Sequence, residues 1–155
     1  MLTTDQKGAI AESAILHAAI ERGIGVYVPF GEERYDLIFD LRPELVRVQV
    51  KWARARRDVI LIGCYTNRRT ADGLLRRTYS RGEVDAFAIY CPDTRKCYYL
   101  PFDQVPPSGA MSLRLCRARN NQRARVHWAE DFEFGATLRP LGAVAQLGER
   151  RAGSA

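Results

Sequence analysis

Leu45-Val46-Arg47-Val48-Gln49-Val50-Lys51-Trp52 sends Val46, Val48, Val50 and Trp52 to one side of an extended chain and Leu45, Arg47, Gln49 and Lys51 to the other. A period of two predicts a strand with one buried face, and it sets Gln49 and Lys51 side by side on the other face. Two shorter strand-like runs come before it, Gly25 to Phe30 and Tyr35 to Asp40. The connections Gly31–Arg34 and Arg42–Glu44 are short enough for antiparallel hairpins. Asp36 then heads a strand whose neighbour carries Gln49 and Lys51. Further back, Thr3 and Gln6 have capping-box spacing, and Lys7 to Arg22 is rich in helix formers before Gly23 stops it. Ile10, Ala14 and Ala18, flanked by Ala11, Ile15 and Leu16, form the expected apolar face of this helix, and Glu12 sits near its middle.

Downstream, Val59 to Cys64 reads as an apolar strand, and Thr66 to Glu83 is polar and arginine-rich with a short helix expected around Leu74 and Leu75. Ala86 to Tyr90 and Lys96 to Leu100 flank the turn Pro92–Arg95 as another hairpin. After the breaker Val105–Gly109, a strand at Ser112–Cys116 leads to a basic loop and a short helix at Val126–Phe132. The expected organisation is one domain over residues 1–134 and a weakly structured tail over 135–155. The tail segment Val144–Arg151 looks like the 5′ part of a transfer-RNA gene read as protein, which would suit a mobile element beside such a locus; an ordinary short helix is the other reading.

A chain of 155 residues can bury a core without staples. No apolar run approaches the ~18 residues of a membrane span, and the N-terminus has no signal-peptide pattern, so a cytoplasmic protein is expected. Cys64, Cys91, Cys97 and Cys116 contain no C-x-x-C, and the five residues between Cys91 and Cys97 exceed the usual zinc-knuckle spacing, so these read as buried or semi-buried thiols. The formal charge of +6 favours a polyanionic partner. Only Lys7, Lys51 and Lys96 among the 24 basic residues are lysine. Guanidinium donates in pairs and so suits phosphate, although a GC-rich genome produces the same bias.

Hydrolysing a phosphodiester calls for a metal that polarises the phosphoryl oxygen and activates water, and for a cation to meet developing charge. Asp36 and Gln49 on adjacent strands, with Lys51 two residues on, supply oxygen donors and that cation. Each residue also has a plainer reading, as an exposed strand or helix side chain. Arg54, Arg56 and Arg57, then Arg68, Arg69, Arg76, Arg77 and Arg81, are candidates for tracking phosphates, with Lys7. Arg119, Asn120, Asn121, Gln122 and Arg123 mix the side chains that contact guanine and adenine edges.

Arg34-Tyr35-Asp36, Val48-Gln49-Val50-Lys51, Tyr79 with Val84–Tyr90, Cys97–Pro101 and Trp128–Asp131 together resemble the PD-(D/E)xK endonucleases, and among them the homing endonucleases associated with group I introns. The resemblance spans about residues 7–134. It implies an α/β restriction-endonuclease-like core with a mixed central sheet flanked by helices, the strand meander being followed by a crossover helix. It also implies Mg²⁺, staggered double-strand cleavage of DNA, and assembly as a homodimer or homotetramer. Glu12, Asp36, Gln49 and Lys51 carry over as catalytic residues, with Asp36, Gln49 and Glu12 at the metal. Gln49 departs from the Asp or Glu general to this fold: its amide can ligate Mg²⁺ but adds no charge. The homing subgroup resembles this chain in having Gln there. Tyr79 and Asp85 match without an assigned role. A Holliday-junction resolvase-like nuclease, a DNA-binding module of the same fold without catalysis, and an RNA-binding or splicing helper remain alternatives.

Overall fold

A computed structural model describes residues 1–116 and 126–138. The basic run Arg119–Arg123 and nearly all of the expected tail lie outside them. The first helix, α1 (Thr4–Glu21), begins with the predicted capping box: the Thr3 side chain accepts from Gln6 N and the Gln6 side chain accepts from Thr3 N. A meander follows, β1 (Gly25–Tyr27), β2 (Leu37–Asp40) and β3 (Leu45–Trp52). Next come β4 (Ala55–Arg56), β5 (Val59–Gly63), β6 (Tyr65–Thr70), β7 (Gly73–Thr78), β8 (Ala86–Cys91) and β9 (Lys96–Pro101). After a 3₁₀ turn at Phe102–Gln104 come β10 (Ala110–Arg114), a second 3₁₀ turn at Ala129–Phe132, and α2 (Phe134–Thr137).

The main sheet runs β1-β2-β3-β8-β9, and only the β3–β8 pair is parallel. Alternation along β3 matches the sequence pattern: Val46, Val48 and Val50 are buried, while Arg47, Gln49 and Lys51 are half-buried. The valines join Ala86 and Ala88 of β8 on the face that α1 covers. Ala11, Ile15 and Ala19 form the contact stripe of α1, one position round from the expected Ile10, Ala14 and Ala18. The small side chains of Ala11 and Ala19 meet a sheet face that is itself lined by alanines. Phe134 and Leu138, from α2 and just after it, close the same core. Among the described residues no helix is long and apolar enough to cross a membrane.

The opposite face carries Phe87, Ile89, Tyr98 and Leu100 and packs on a small sheet, β10-β5-β4, through Ile60, Ile62, Met111 and Leu113. The connector from β3 to its parallel neighbour β8 is thus built of strands, where the resemblance implied a crossover helix. The expected helix at Leu74–Leu75 is likewise absent. Those residues belong to β7, paired with β6 in a two-stranded ribbon from Tyr65↔Thr78 to Thr70↔Gly73. A two-residue link, Ala71-Asp72, and Gly73 at φ 127° favour the hairpin, and among the described residues nothing covers β7, so a helix there would leave its leucines unburied. Leu74 and Leu75 remain 68% and 57% exposed.

At the start of the parallel pair, Arg47 and Asp85 form a bidentate clamp, Nε to Oδ2 at 3.0 Å and Nη2 to Oδ1 at 3.0 Å, with Arg47 N also donating to Oδ2. Asp85 therefore has a structural role.

Ile15 is fully buried in the α1–sheet seam, so Ile15→Ala should cost about 2–5 kcal/mol. Urea unfolding should show the midpoint fall with the slope unchanged.

Candidate active site

Asp36 lies one residue before β2. Its N–H donates to Val48 O at 2.9 Å, and its Oδ2 accepts from Val50 N at 2.8 Å. The carboxylate thus continues the β2–β3 ladder where the backbone of β2 turns away, and it is fixed at the edge of the strand that carries Gln49 and Lys51. Gln49 and Lys51 pair with Phe87 and Ile89 of β8 and face away from α1. Glu12, on α1, is exposed along its stem yet feels the Asp36 charge.

The protonation behaviour follows from this crowding. Burial raises the Asp36 carboxyl above its ordinary value, opposed by the Val50 N–H and by Lys51. Partial desolvation raises Glu12, and Asp36 adds to the effect. Burial lowers the Lys51 ammonium and Arg34 pushes it the same way, while Cys64 and Asp36 oppose. Asp36 and Glu12 supply carboxylate oxygens and Gln49, on the strand to which Asp36 is bonded, an amide oxygen; hard oxygens of this kind could hold a divalent cation. Among the described residues no group of three or more His, Cys, Asp or Glu is positioned to hold a metal.

Lys51 Nζ donates to Tyr65 O at 3.1 Å and to Tyr79 Oη at 3.3 Å. The Arg34 guanidinium stacks on the Tyr79 ring at 4.1 Å, and burial lifts the Tyr79 hydroxyl to about 12. Tyr79 and Arg34 both fall inside the motifs of the resemblance, yet the sequence gives neither a role because nothing local joins them to Lys51. Arg34 lies 17 residues before it and Tyr79 28 after.

The basic candidates separate into groups. Lys7 is on α1. Arg54 is committed to Asp93, Nε to Oδ2 at 2.8 Å and Nη2 to Oδ1 at 2.9 Å, which leaves Arg56 and Arg57 as the freer members of that cluster. Arg68, Arg69, Arg76 and Arg77 line the exposed ribbon. Arg76 stacks on Tyr65 at 3.8 Å, and Arg77 pairs with Glu83 at 2.9 Å.

A helix over an antiparallel meander, with a parallel strand beside it and an acid and a lysine where two strands part, defines the restriction-endonuclease-like class of nuclease fold. The model of the PD-(D/E)XK endonuclease family matches residues 2–135, and the chain belongs to that family. Its fold is similar to the solved structure of a bacterial homing endonuclease, I-Ssp6803I, with a TM-score of 0.70 and 24% identity over 97% of this chain and 99% of that one. No curated protein matches the chain.

The raised Asp36 has a consequence for stability. The folded chain holds that proton more tightly than the unfolded chain, so stability falls as pH rises from the ordinary carboxylate value through the raised one, and the penalty is complete above it. Asp36→Asn, which can still accept from Val50 N, should therefore melt above the wild type near neutral pH without divalent metal. The difference should shrink as pH falls toward the ordinary carboxylate range. A variant that melts at or below the wild type at pH 7 would show that Asp36 is not a strained charge.

Proposed function

We propose that this endonuclease-family chain makes Mg²⁺-dependent, site-specific double-strand cuts in DNA, in the manner of a homing endonuclease, and works as a homodimer or homotetramer. The observation that carries the reading is the convergence of Asp36, Gln49 and Lys51 where β2 parts from β3, with Glu12 close enough to couple to Asp36. Asp36, the Gln49 amide oxygen and Glu12 would hold the ion, which when bound polarises the phosphoryl oxygen and makes water a better nucleophile. Lys51 would meet the negative charge that develops on the phosphate oxygens. The half-buried setting strengthens that attraction relative to water.

The ribbon supports the choice of duplex DNA. A two-stranded antiparallel ribbon fits the major groove, and this one brings Asn67 opposite Arg76 and Arg68 opposite Leu75 with its outer residues exposed. Arg56, Arg57 and Lys7 would contact phosphates elsewhere, and Arg119, Asn120, Asn121, Gln122 and Arg123 remain candidates for base contact.

Gln49 is the specific observation in favour of a second reading, a DNA-binding module of this fold without catalysis. Digestion of a random-insert plasmid library with Mg²⁺, and in parallel with EDTA, separates the two. The nuclease should linearise a sequence-defined subset with Mg²⁺ only. Cutting only at four-way junctions, whatever the sequence, would instead indicate a structure-specific nuclease. On a recovered target, Lys51→Ala should lose about 10²–10³-fold in rate with little change in affinity. Gln49→Glu should keep cleavage and Gln49→Ala should lose it. Binding to DNA without cutting by the wild type at any Mg²⁺ concentration would overturn the enzymatic reading.

If the ribbon meets phosphates, the double variant Arg68→Glu, Arg69→Glu should weaken binding similarly on cut and random DNA. The slope of log affinity against log salt should also flatten by about one unit for each phosphate that is no longer neutralised. Weakening confined to the target would assign those arginines to base reading.

A further inference from the structure

Lys51 is held by residues that the proposed chemistry does not itself use. An ammonium has three N–H donors. Two of them are taken, by Tyr65 O at 3.1 Å and Tyr79 Oη at 3.3 Å, so the third has a fixed direction. Tyr65 is the first residue of β6 and Tyr79 follows the last residue of β7. The two acceptors are thus the two feet of the arginine-rich ribbon.

The feet are fixed by Arg34. Its Nη2 donates to Thr78 O at 3.3 Å and its Nη1 to Thr66 Oγ1 at 3.5 Å, one bond to each strand of the ribbon. Its Nε lies 3.3 Å from Glu83 Oε1, which also binds Arg77 of the ribbon at 2.9 Å. The guanidinium plane rests on the Tyr79 ring at 4.1 Å. Tyr79 is 8% exposed and its ring meets the edge of Phe87 at a centroid separation of 5.4 Å, with Lys51 Nζ 5.0 Å from its centre. One aromatic ring therefore carries two cations, an arrangement a ring quadrupole favours. It spaces Arg34 from Lys51 and offers the lysine an acceptor.

We propose that Tyr79 and Arg34 are positioning residues for Lys51: Arg34 ties the two feet of the ribbon together and holds the Tyr79 ring, and the Tyr79 hydroxyl with the Tyr65 carbonyl aims the remaining Lys51 N–H at the reacting phosphate. The inference rests on Lys51 acting as the charge-stabilising group. It makes the DNA-contacting ribbon and the lysine one mechanical unit.

Tyr79→Phe keeps the ring, the Arg34 stack and the Phe87 packing and removes only the acceptor. On the plasmid clone cut by the wild type, kcat should fall about 10- to 100-fold, the scale of one hydrogen bond to a charged group, with half-saturating DNA unchanged. Arg34→Met should lower kcat on a similar scale. Arg34→Lys should not rescue it, because an ammonium lacks the fork that spans Thr66 and Thr78. A readout without activity uses the three lysines of the chain. In ε-¹⁵N-lysine NMR of the free protein, Lys51 should be the restrained ammonium, and Tyr79→Phe should lower its order parameter and leave Lys7 and Lys96 unchanged. Wild-type kcat together with an unaltered Lys51 signal in Tyr79→Phe would overturn the proposal, as would an effect confined to DNA affinity. If the wild type cuts no DNA, the nuclease reading fails by itself, and the NMR comparison still decides whether Tyr79 sets Lys51.

Discussion

One hydrogen bond organises the end of the sheet where β2 parts from β3. Where the β2–β3 ladder runs out, Val50 N finds Asp36 Oδ2 at 2.8 Å in place of a backbone carbonyl. A strand N–H in a half-buried position needs a partner, and leaving it unmet would cost about 1–3 kcal/mol. The side chain of Asp36 satisfies it while the preceding backbone is released from the sheet. That release lets Arg34, two residues earlier, cross to the ribbon and Tyr79, and it leaves Lys51 uncovered by a neighbouring β2 residue. The same bond occupies Oδ2 of the Asp36 carboxylate.

The two faces of β3 carry different kinds of residue. Its valines disappear under α1, where Ala11, Ile15 and Ala19 approach Ala86 and Ala88 closely. On the other face Arg47, Gln49 and Lys51 stand in a row, and each is treated differently. Arg47 is paired with Asp85, which lowers the Asp85 carboxyl and makes a tie at the start of β8. Gln49 is neutral. Lys51 lies toward the far end of the strand, where burial and Arg34 work against its charge. No polar or charged side chain among the described residues is fully buried. Asp36 and Lys51 are both desolvated, and burial pushes each toward its neutral form.

What is legible in the sequence is what depends on local period. The alternation of Val46 to Trp52 predicts both the strand and the shared face of Gln49 and Lys51, and Thr3 with Gln6 predicts the start of α1. The contact stripe of α1 falls one position from its expected place because Ala and Ile occur on several sides of the helix, so composition does not rank them; the alanines of β8 decide it. Leu74 and Leu75 suggest a helix because adjacent leucines are good helix formers, but a short helix is held mainly by burying an apolar face, and among the described residues nothing covers these two. The roles of Arg34, Tyr79 and Asp93 are not legible, since each depends on an interaction between distant parts of the chain.

Those distant interactions follow from the parallel pairing of β3 and β8. A parallel neighbour needs a long connection, because the chain must return to the same end of the sheet. In this protein the connection, from Ala53 to Asp85, consists of short strands and their links, and it passes the end of β3 where Lys51 emerges. Cys64, the Tyr65 carbonyl, Thr66, Thr78 and Tyr79 all belong to it, and they form the wall that holds Lys51 and Arg34. A crossover helix bonds its backbone groups internally except at its ends, whereas here the first residue of β6 presents its carbonyl to the lysine. The start of β6 offers Tyr65 O to Lys51 at 3.1 Å, and the same segment carries the exposed arginines of the ribbon. Topology thus brings the connector that carries the arginine-rich ribbon against Lys51 at the end of β3.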